Sequence, residues 1–231
     1  PKNITFESKD DDEKIIFKSS HDGYQNNFNK IVKSEILIMK KINVIYGTDT
    51  ILSMKNKPLV SIIMNCLNGE KFLTSSLKSV LKQKFKNWEL IFWDNQSSDK
   101  SKEIFKKFKD KRFKYFYAKK KTNLYKARNL AIKESKGRFL GFLDVDDFWT
   151  YDKLQKQVPR FKDKKVSLVY ENFYKYFNST KKKEIAFNSN LPEGFILSKI
   201  IEDYQVGLST VLIRKKSIKN LKKIFNDKYN L

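Results

Sequence analysis

The sequence predicts an α/β domain with a mostly parallel central sheet, flanking helices and a small N-terminal appendage. Three observations predict it. The runs LVSIIMN from Leu59, WELIFW from Trp88 and FLGFL from Phe139 have the length and apolar content of strands buried on both faces. Between them, apolar residues recur at helical spacing. Strand, helix and strand also succeed one another within about 35 residues, the size of a βαβ unit, whose right-handed crossover places both strand ends on one edge.

The appendage covers residues 1–57 and the main domain residues 58–231. Residues 1–57 hold ten basic and eight acidic side chains, against 39 and 18 in the remainder, so the excess of positive charge begins with the main domain. Asp10 to Glu13 reads as loop, Ile31 to Ile45 as a patterned segment, and Ile51 to Lys57 as a linker. His21 is the only histidine, so no histidine-rich metal site can form.

From Leu59 each element has a local reason. The first strand ends at Asn65, and Asn68 is the expected N-cap of a helix carrying Phe72, Leu73, Leu77, Val80 and Leu81. The second strand ends at Asp94, and Ser98 or Asp99 caps the next helix, with Ile104, Phe105 and Phe108 inward. Phe113 to Tyr117 is a third strand. The basic loop KKKTN then leads to a helix over Leu124 to Ser135, ended by Gly137. Phe139 to Leu143 follows as a strand. Beyond Trp149 the pattern predicts a helix over Asp152 to Lys162 broken near Pro159, a strand at Val166 to Glu171 and a hairpin from Phe173 to Phe187. A helix at Phe195 to Tyr204, a strand at Leu208 to Ile213 and a last helix at Ser217 to Phe225 complete it.

The fourth strand delivers Asp144, Asp146 and Asp147 within four positions at its carboxyl end, where open parallel sheets bind ligands. Three neighbouring carboxylates repel one another and need a counter-charge. Lysines can provide it; so can a hard cation such as Mg2+ or Mn2+, which takes one or two carboxylates together with substrate phosphates. A solvated acidic loop is the competing reading. Asn65, Asp94 and Asp144 close parallel strands and are expected to converge on one crevice.

The formal net charge is +23, from 49 Lys+Arg and 26 Asp+Glu. Only five of these cations are arginine, the residue that reads bases through paired hydrogen bonds, which argues against a sequence-reading nucleic-acid protein. Dispersed lysines suit a looser attraction to an anionic membrane surface. A single cysteine, Cys66, excludes an internal disulfide and fits a reducing compartment. No apolar run reaches the roughly 18 residues of a membrane span, and residues 1–14 are polar rather than leader-like, so the expected address is cytoplasmic, with possible peripheral contact at the inner face of the membrane.

About two thirds of the chain, Pro58 to about Arg214, resembles family 2 glycosyltransferases of the GT-A fold. The matching pieces are PLVSIIMNCLNGEKFLTSSLKSVLKQKFKNWELIFWDNQSSDKS, ARNLAIKESKGRFLGFLDVDDFW, DKLQKQV and GLSTVLIRKKSI, in that order. The resemblance implies a nucleotide-sugar donor, a saccharide or lipid-linked acceptor, Mn2+ or Mg2+, and transfer with inversion. It implies that Asn65 and Leu67 contact base and ribose, that Asp94 and Asn95 are the paired acidic position, and that Asn123 to Arg128 approaches the donor, with Arg128 on the diphosphate. Asp144 and Asp146 become the DxD, Asp146 the metal ligand and Asp144 facing the sugar or ribose, with Asp147 completing the metal motif. The general base of the family follows a stretch like FNDKYNL and is expected beyond Leu231, with Glu171, Glu202 and Asp203 as weaker candidates; the domain is thus expected to be truncated at its C-terminus. Two other readings stand beside this one: an inactive donor-binding module, and a basic membrane-surface or nucleic-acid module. Trp149 reads as packing or as a ligand contact, Cys66 as a buried filler, and Ser209 and Thr210 as locally satisfied or facing the acceptor.

Overall fold

The computed structural model describes strands at residues 5–8 and 11–19, and then residues 57–177, 180, 182–194, 206–221 and 223–227. Ten strands and four α-helices are found among them. The strands are β1 (Thr5–Ser8), β2 (Asp11–Ser19), β3 (Val60–Cys66), β4 (Trp88–Asp94), β5 (Phe113–Tyr117), β6 (Phe139–Phe142), β7 (Val166–Tyr170), β8 (Tyr174–Phe177), β9 (Lys182–Ile185) and β10 (Leu212–Arg214). The helices are α1 (Glu70–Leu81), α2 (Ser101–Lys106), α3 (Leu124–Lys133) and α4 (Lys153–Gln157). Eight strands form one sheet in the order β1-β2-β7-β10-β6-β3-β4-β5, while β8 and β9 pair apart from it.

The run β6-β3-β4-β5 is parallel, whereas β10 enters antiparallel between β6 and β7. This is the mostly parallel α/β sheet expected, flanked by helices. All seven residues of β3 are buried, because both of its faces are covered. Val60, Ile62, Met64 and Cys66 belong to a core shared with Leu73, Leu77 and Val80 of α1 and Phe105 of α2. Ile63 packs with Ile91, Leu140, Phe142 and the α3 residues Ala131 and Ile132. Alternation along one strand thus feeds two apolar layers.

Chain order and spatial order differ at one place that matters. From β3 the chain crosses to β4 and β5 on one side, while β6 lies on the other. The sheet therefore has a switch point between β3 and β6, and the carboxyl ends of strands at such a point are where open α/β sheets bind ligands.

Several expectations are corrected. Residues 11–13 lie in β2, which pairs with β1 and runs parallel to β7, so the acidic run is not wholly loop. Gly69, not Asn68, is the N-cap of α1; Asn68 sits at φ 56° and its side chain accepts from Ser98 N at 2.8 Å instead. Gly137 does not cap α3. Its nitrogen donates to Ser61 Oγ at 2.7 Å, and a Cβ there would lie 2.5 Å from Ser61 N, so the position is glycine because two backbones meet. The expected strand at Leu208 to Ile213 is split into a 3-10 turn, Leu208–Thr210, and β10. The carbonyls of Ser209 and Thr210 accept from side chains in place of a neighbouring strand. In place of the last helix there is a 3-10 turn at Lys215–Ile218, and Phe225 has both backbone groups bound to Asn129. The break at Pro159 is present: α4 passes into a 3-10 turn at Val158–Lys162. Ile31 to Ile45, Phe195 to Tyr204, His21, Glu202 and Asp203 lie outside the described residues.

Candidate active site

Register brings the predicted residues to one edge. Ile63 of β3 stands opposite Phe142 of β6, so Asn65 and Asp144 each lie two residues beyond that pair. On the other side Asn65 faces Trp93, and Cys66 faces Asp94. Asn65 is 8% exposed and its Nδ2 has no hydrogen-bond partner among the described residues, an unusual state for a buried donor at the end of a strand. Leu67 follows on the β3–α1 loop and is exposed.

The two loops at this edge are tied together. Asn68 N donates to Ser97 Oγ at 3.1 Å, Gly69 N to Ser101 Oγ at 2.9 Å, Glu70 N to Asp99 Oδ2 at 2.8 Å, and Lys100 N to Glu70 Oε2 at 2.9 Å. Asp94 and Asn95 are buried and serve the scaffold. Asp94 accepts from Ser97 N at 2.7 Å and from the Tyr115 hydroxyl at 2.6 Å. Burial, with the Asp94 hydrogen bond, pushes the Tyr115 phenol above its ordinary pKa and keeps it a donor. Asn95 Nδ2 donates to Thr122 O at 2.7 Å, and its Oδ1 accepts from Thr122 N at 3.2 Å, which fixes the loop entering α3. Asn123 caps α3, accepting from Lys126 N at 2.9 Å, and donates to Asp227 O at 3.0 Å. The Cys66 thiol is buried and burial pushes its pKa up, which fits packing rather than nucleophilic chemistry.

The three aspartates have three different surroundings. Asp144 Oδ1 is paired with Arg128 of α3 at 2.7 Å; the arginine is nearly buried and the aspartate half exposed. Asp147 Oδ2 accepts from the Ser209 hydroxyl at 2.5 Å, and that same hydroxyl accepts from Asp144 N at 3.3 Å. Surrounding protein pushes the Asp147 carboxyl above the usual carboxylate range, opposed by the Ser209 hydrogen bond and reinforced by the charges of Asp144 and Asp146. Asp146 is exposed and has no side-chain partner among the described residues. No group of three His, Cys, Asp or Glu side chains among the described residues is drawn together as a closed metal cage. The oxygen-only set that remains, Asp146 with Asp144 beside it, suits a hard cation whose other ligands are phosphate oxygens and water.

Behind the aspartates lies a brace that the sequence did not announce. Trp149 is buried, its ring lies over Gly141 of β6, and its Nε1 donates to Ser209 O at 2.7 Å. Lys153 Nζ donates to Thr210 O at 2.7 Å and to Gln157 Oε1 at 2.6 Å, and Gln157 Nε2 donates to the same Thr210 O at 2.7 Å. Lys153 also lies 4.9 Å from the centre of the Trp149 ring. Trp149 is thus structural, and the pair Lys153 and Gln157, four apart on one helix face, was the available signal. Thr210 Oγ1 turns to Gly207 O at 2.6 Å.

A second missed element is the segment 223–227. Phe225 stacks near Tyr125, meets Phe142 edge-on at 5.5 Å and lies 5.4 Å from the Arg128 guanidinium. Asn129 holds its backbone in both directions, at 2.7 and 3.1 Å. The Asp227 carboxylate is bound to Lys223 Nζ at 2.6 and 2.9 Å, which occupies it. Glu171, the described candidate for a base, acts on Lys153 by its charge and has a buried Oε1 without a partner among the described residues.

Comparison with known proteins places this geometry among relatives. Residues 61–220 match the family model described as Glycosyl transferase family 2. Over 155 residues the chain is 35% identical to the Escherichia coli UDP-Glc:alpha-D-GlcNAc-diphosphoundecaprenol beta-1,3-glucosyltransferase WfgD, covering 67% of this chain and 60% of that protein. Over 175 residues it is 33% identical to WfaP of the same organism, which carries the same activity in its name, covering 74% and 66%. The crystal structure of S. aureus TarS 1-349 in complex with UDP-GlcNAc superposes with a TM-score of 0.59 at 26% identity, covering 69% of this chain and 46% of that one. The chain spans 60% and 66% of the length of these two curated relatives. Among the described residues no helix is long and apolar enough to cross a membrane.

Proposed function

The chain belongs to glycosyl transferase family 2, and from that premise we propose that it moves a sugar from a uridine-diphosphate sugar to a hydroxyl of a lipid-linked saccharide. The transfer inverts the anomeric carbon, uses a divalent metal, and serves cell-envelope polysaccharide assembly on the cytoplasmic side. The observation that carries the reading is the switch-point edge, where Asn65, whose amide has no partner among the described residues, and Asp144, paired with Arg128, leave neighbouring strands at the same register. The uridine nucleotide is supported by the names of WfgD and WfaP and by the TarS complex; a diphosphoundecaprenol acceptor appears in the same two names.

In this reading Asn65 and Leu67 receive the base and ribose, and Asp94 and Asn95 hold the loops around them. Arg128 presents a fixed positive charge beside the diphosphate, where negative charge grows as the bond to the sugar breaks. Its pairing with Asp144 orients both groups before the donor arrives. Asp146 and Asp144 would hold Mg2+ or Mn2+, with Asp147 kept in place behind them by Ser209. When bound, the ion supplies Lewis-acid neutralisation of the leaving diphosphate. Asn123 sets the start of α3, and the exposed lysines of the loop Lys119 to Lys121 add positive charge at the same edge.

Isothermal titration with UDP-glucose, with and without Mn2+, tests the proposal. Mn2+-dependent binding is expected, weakened about a hundredfold or more by Asp146→Ala, since losing even an outer-shell partner of a metal costs about 10–100-fold. Binding that neither Mn2+ nor the substitution alters defeats the metal assignment, and no binding of any UDP, GDP or dTDP sugar defeats the donor site.

A further inference from the structure

The β8–β9 ribbon stands apart from the main sheet, and all eight of its strand residues are exposed. A lone two-stranded ribbon is marginal in water unless something covers one of its faces. Its register sorts the side chains. Tyr174 pairs with Ile185 and Tyr176 with Lys183 on one face; Lys175 pairs with Glu184 and Phe177 with Lys182 on the other. The first face therefore shows three large apolar side chains and one lysine, whose ammonium lies 4.9 Å from the Tyr174 ring centre.

This face continues to the active-site edge. Phe148, the residue after Asp147, is 58% exposed and meets Tyr176 edge-on at 6.0 Å. Tyr174, Tyr176, Ile185 and Phe148 make up four of the ten exposed large apolar side chains among the described residues and lie on this one face, so they form a cluster and not a scatter, while Phe177 lies on the opposite face. Of the ribbon lysines Lys183 shares this face, and Lys175 and Lys182 stand on the opposite one with stems long enough to reach the same headgroup layer, against one carboxylate, Glu184. Phenol-tipped rings with lysines on long apolar stems suit the boundary between headgroups and hydrocarbon. Protein interfaces are depleted of lysine, which weighs against a second copy or another protein as the occupant.

We propose that the ribbon and Phe148 dock on an anionic bilayer surface and set the active-site edge against it, where a lipid-linked acceptor presents its sugar; this rests on the acceptor reading above. Headgroup charge complements the ribbon lysines, and the net charge of +23 draws the chain in from a distance.

Co-sedimentation of the 231-residue chain with vesicles of equal parts phosphatidylglycerol and phosphatidylethanolamine, against pure phosphatidylcholine, tests it. The wild type is expected to prefer the anionic vesicles. Tyr174→Ser/Tyr176→Ser/Ile185→Ser should weaken partition about tenfold and do so at high salt as well, because the lost contribution is apolar burial. Lys182→Ser/Lys183→Ser should weaken it about tenfold at low salt only, and more than Lys106→Ser/Lys107→Ser at the C-terminal end of α2 does. Titration with UDP-glucose on the same preparations serves as the check of folding and of the donor site, and both ribbon variants should bind it like the wild type. The docking proposal is overturned if the wild type ignores anionic vesicles, if both ribbon variants partition like the wild type, or if the aromatic substitutions dissociate a dimer seen by mass. Loss of UDP-glucose binding in the wild type counts against the donor reading and leaves the vesicle result to judge docking by itself.

Discussion

Lys153 offers the sharpest test of the brace behind the aspartates. It is 3% exposed, and burial pushes its pKa from 10.5 down to about 8, partly offset by the charge of Glu171. At 1.36 kcal/mol per unit, that displacement corresponds to about 3 kcal/mol by which the fold disfavours the ammonium. The sign follows from proton counting. Below pH 8 both folded and unfolded chains carry the proton, and the cost is fully present. Between about 8 and 10.5 the unfolded chain keeps a proton that the folded chain has released, so stability rises with pH. Lys153→Met removes the titration. Other lysines and tyrosines titrate in the same range, but they are common to both proteins and cancel in the difference. Urea unfolding of wild type and variant at pH 7 and pH 10 should therefore show the difference moving in favour of the wild type by roughly 2 to 3 kcal/mol. A difference that stays constant would refute the claim that Lys153 is held as a buried cation.

Gly137→Ala should destabilise by about 3 kcal/mol, as overpacking against backbone does, because its Cβ would lie 2.5 Å from Ser61 N and 2.8 Å from Val60 C; thermal unfolding reads this, and an unchanged Tm refutes it. Asn129→Leu leaves the Phe225 N–H and C=O unpaired at a cost of about 1–3 kcal/mol, and should expose residues 223–227 to limited proteolysis while the main sheet keeps its protection. Ser209→Ala removes the hydrogen bond that opposes the upward push on the Asp147 pKa. Because a raised carboxyl pKa means that the folded chain holds the proton longer, the stability of this variant relative to wild type should fall as pH rises above the usual carboxylate range, and parallel profiles in urea would contradict it.

Some of these features could be read from neighbours in sequence, and some could not. The strands at Val60–Cys66, Trp88–Asp94 and Phe139–Phe142 were legible because a strand buried on both faces needs an unbroken apolar run, and that run is local. The broken helix at Pro159 and the hairpin of β8 and β9 were legible for equally local reasons. The placement of Asn65, Asp94 and Asp144 at one edge followed from the βαβ pattern, because strands joined by crossovers run parallel and end on the same side. That much the amino-acid sequence determined by itself.

Tertiary structure decided the rest, through partners far away in the chain. Asn68 was a sound helix cap by local chemistry, yet the β4–α2 loop, 30 residues on, offered Ser98 N and took its side chain. Leu208 to Ile213 has strand composition, but Trp149, Lys153 and Gln157 capture the carbonyls of Ser209 and Thr210 from about 55 residues upstream. The three adjacent aspartates looked equivalent in the sequence. They differ because α3 brings Arg128 to the first, the turn of Leu208–Thr210 brings Ser209 to the third, and no described side chain pairs with the second. A hydrogen bond between distant residues leaves no period in the sequence, so only the packed chain could show which carboxylate stays open.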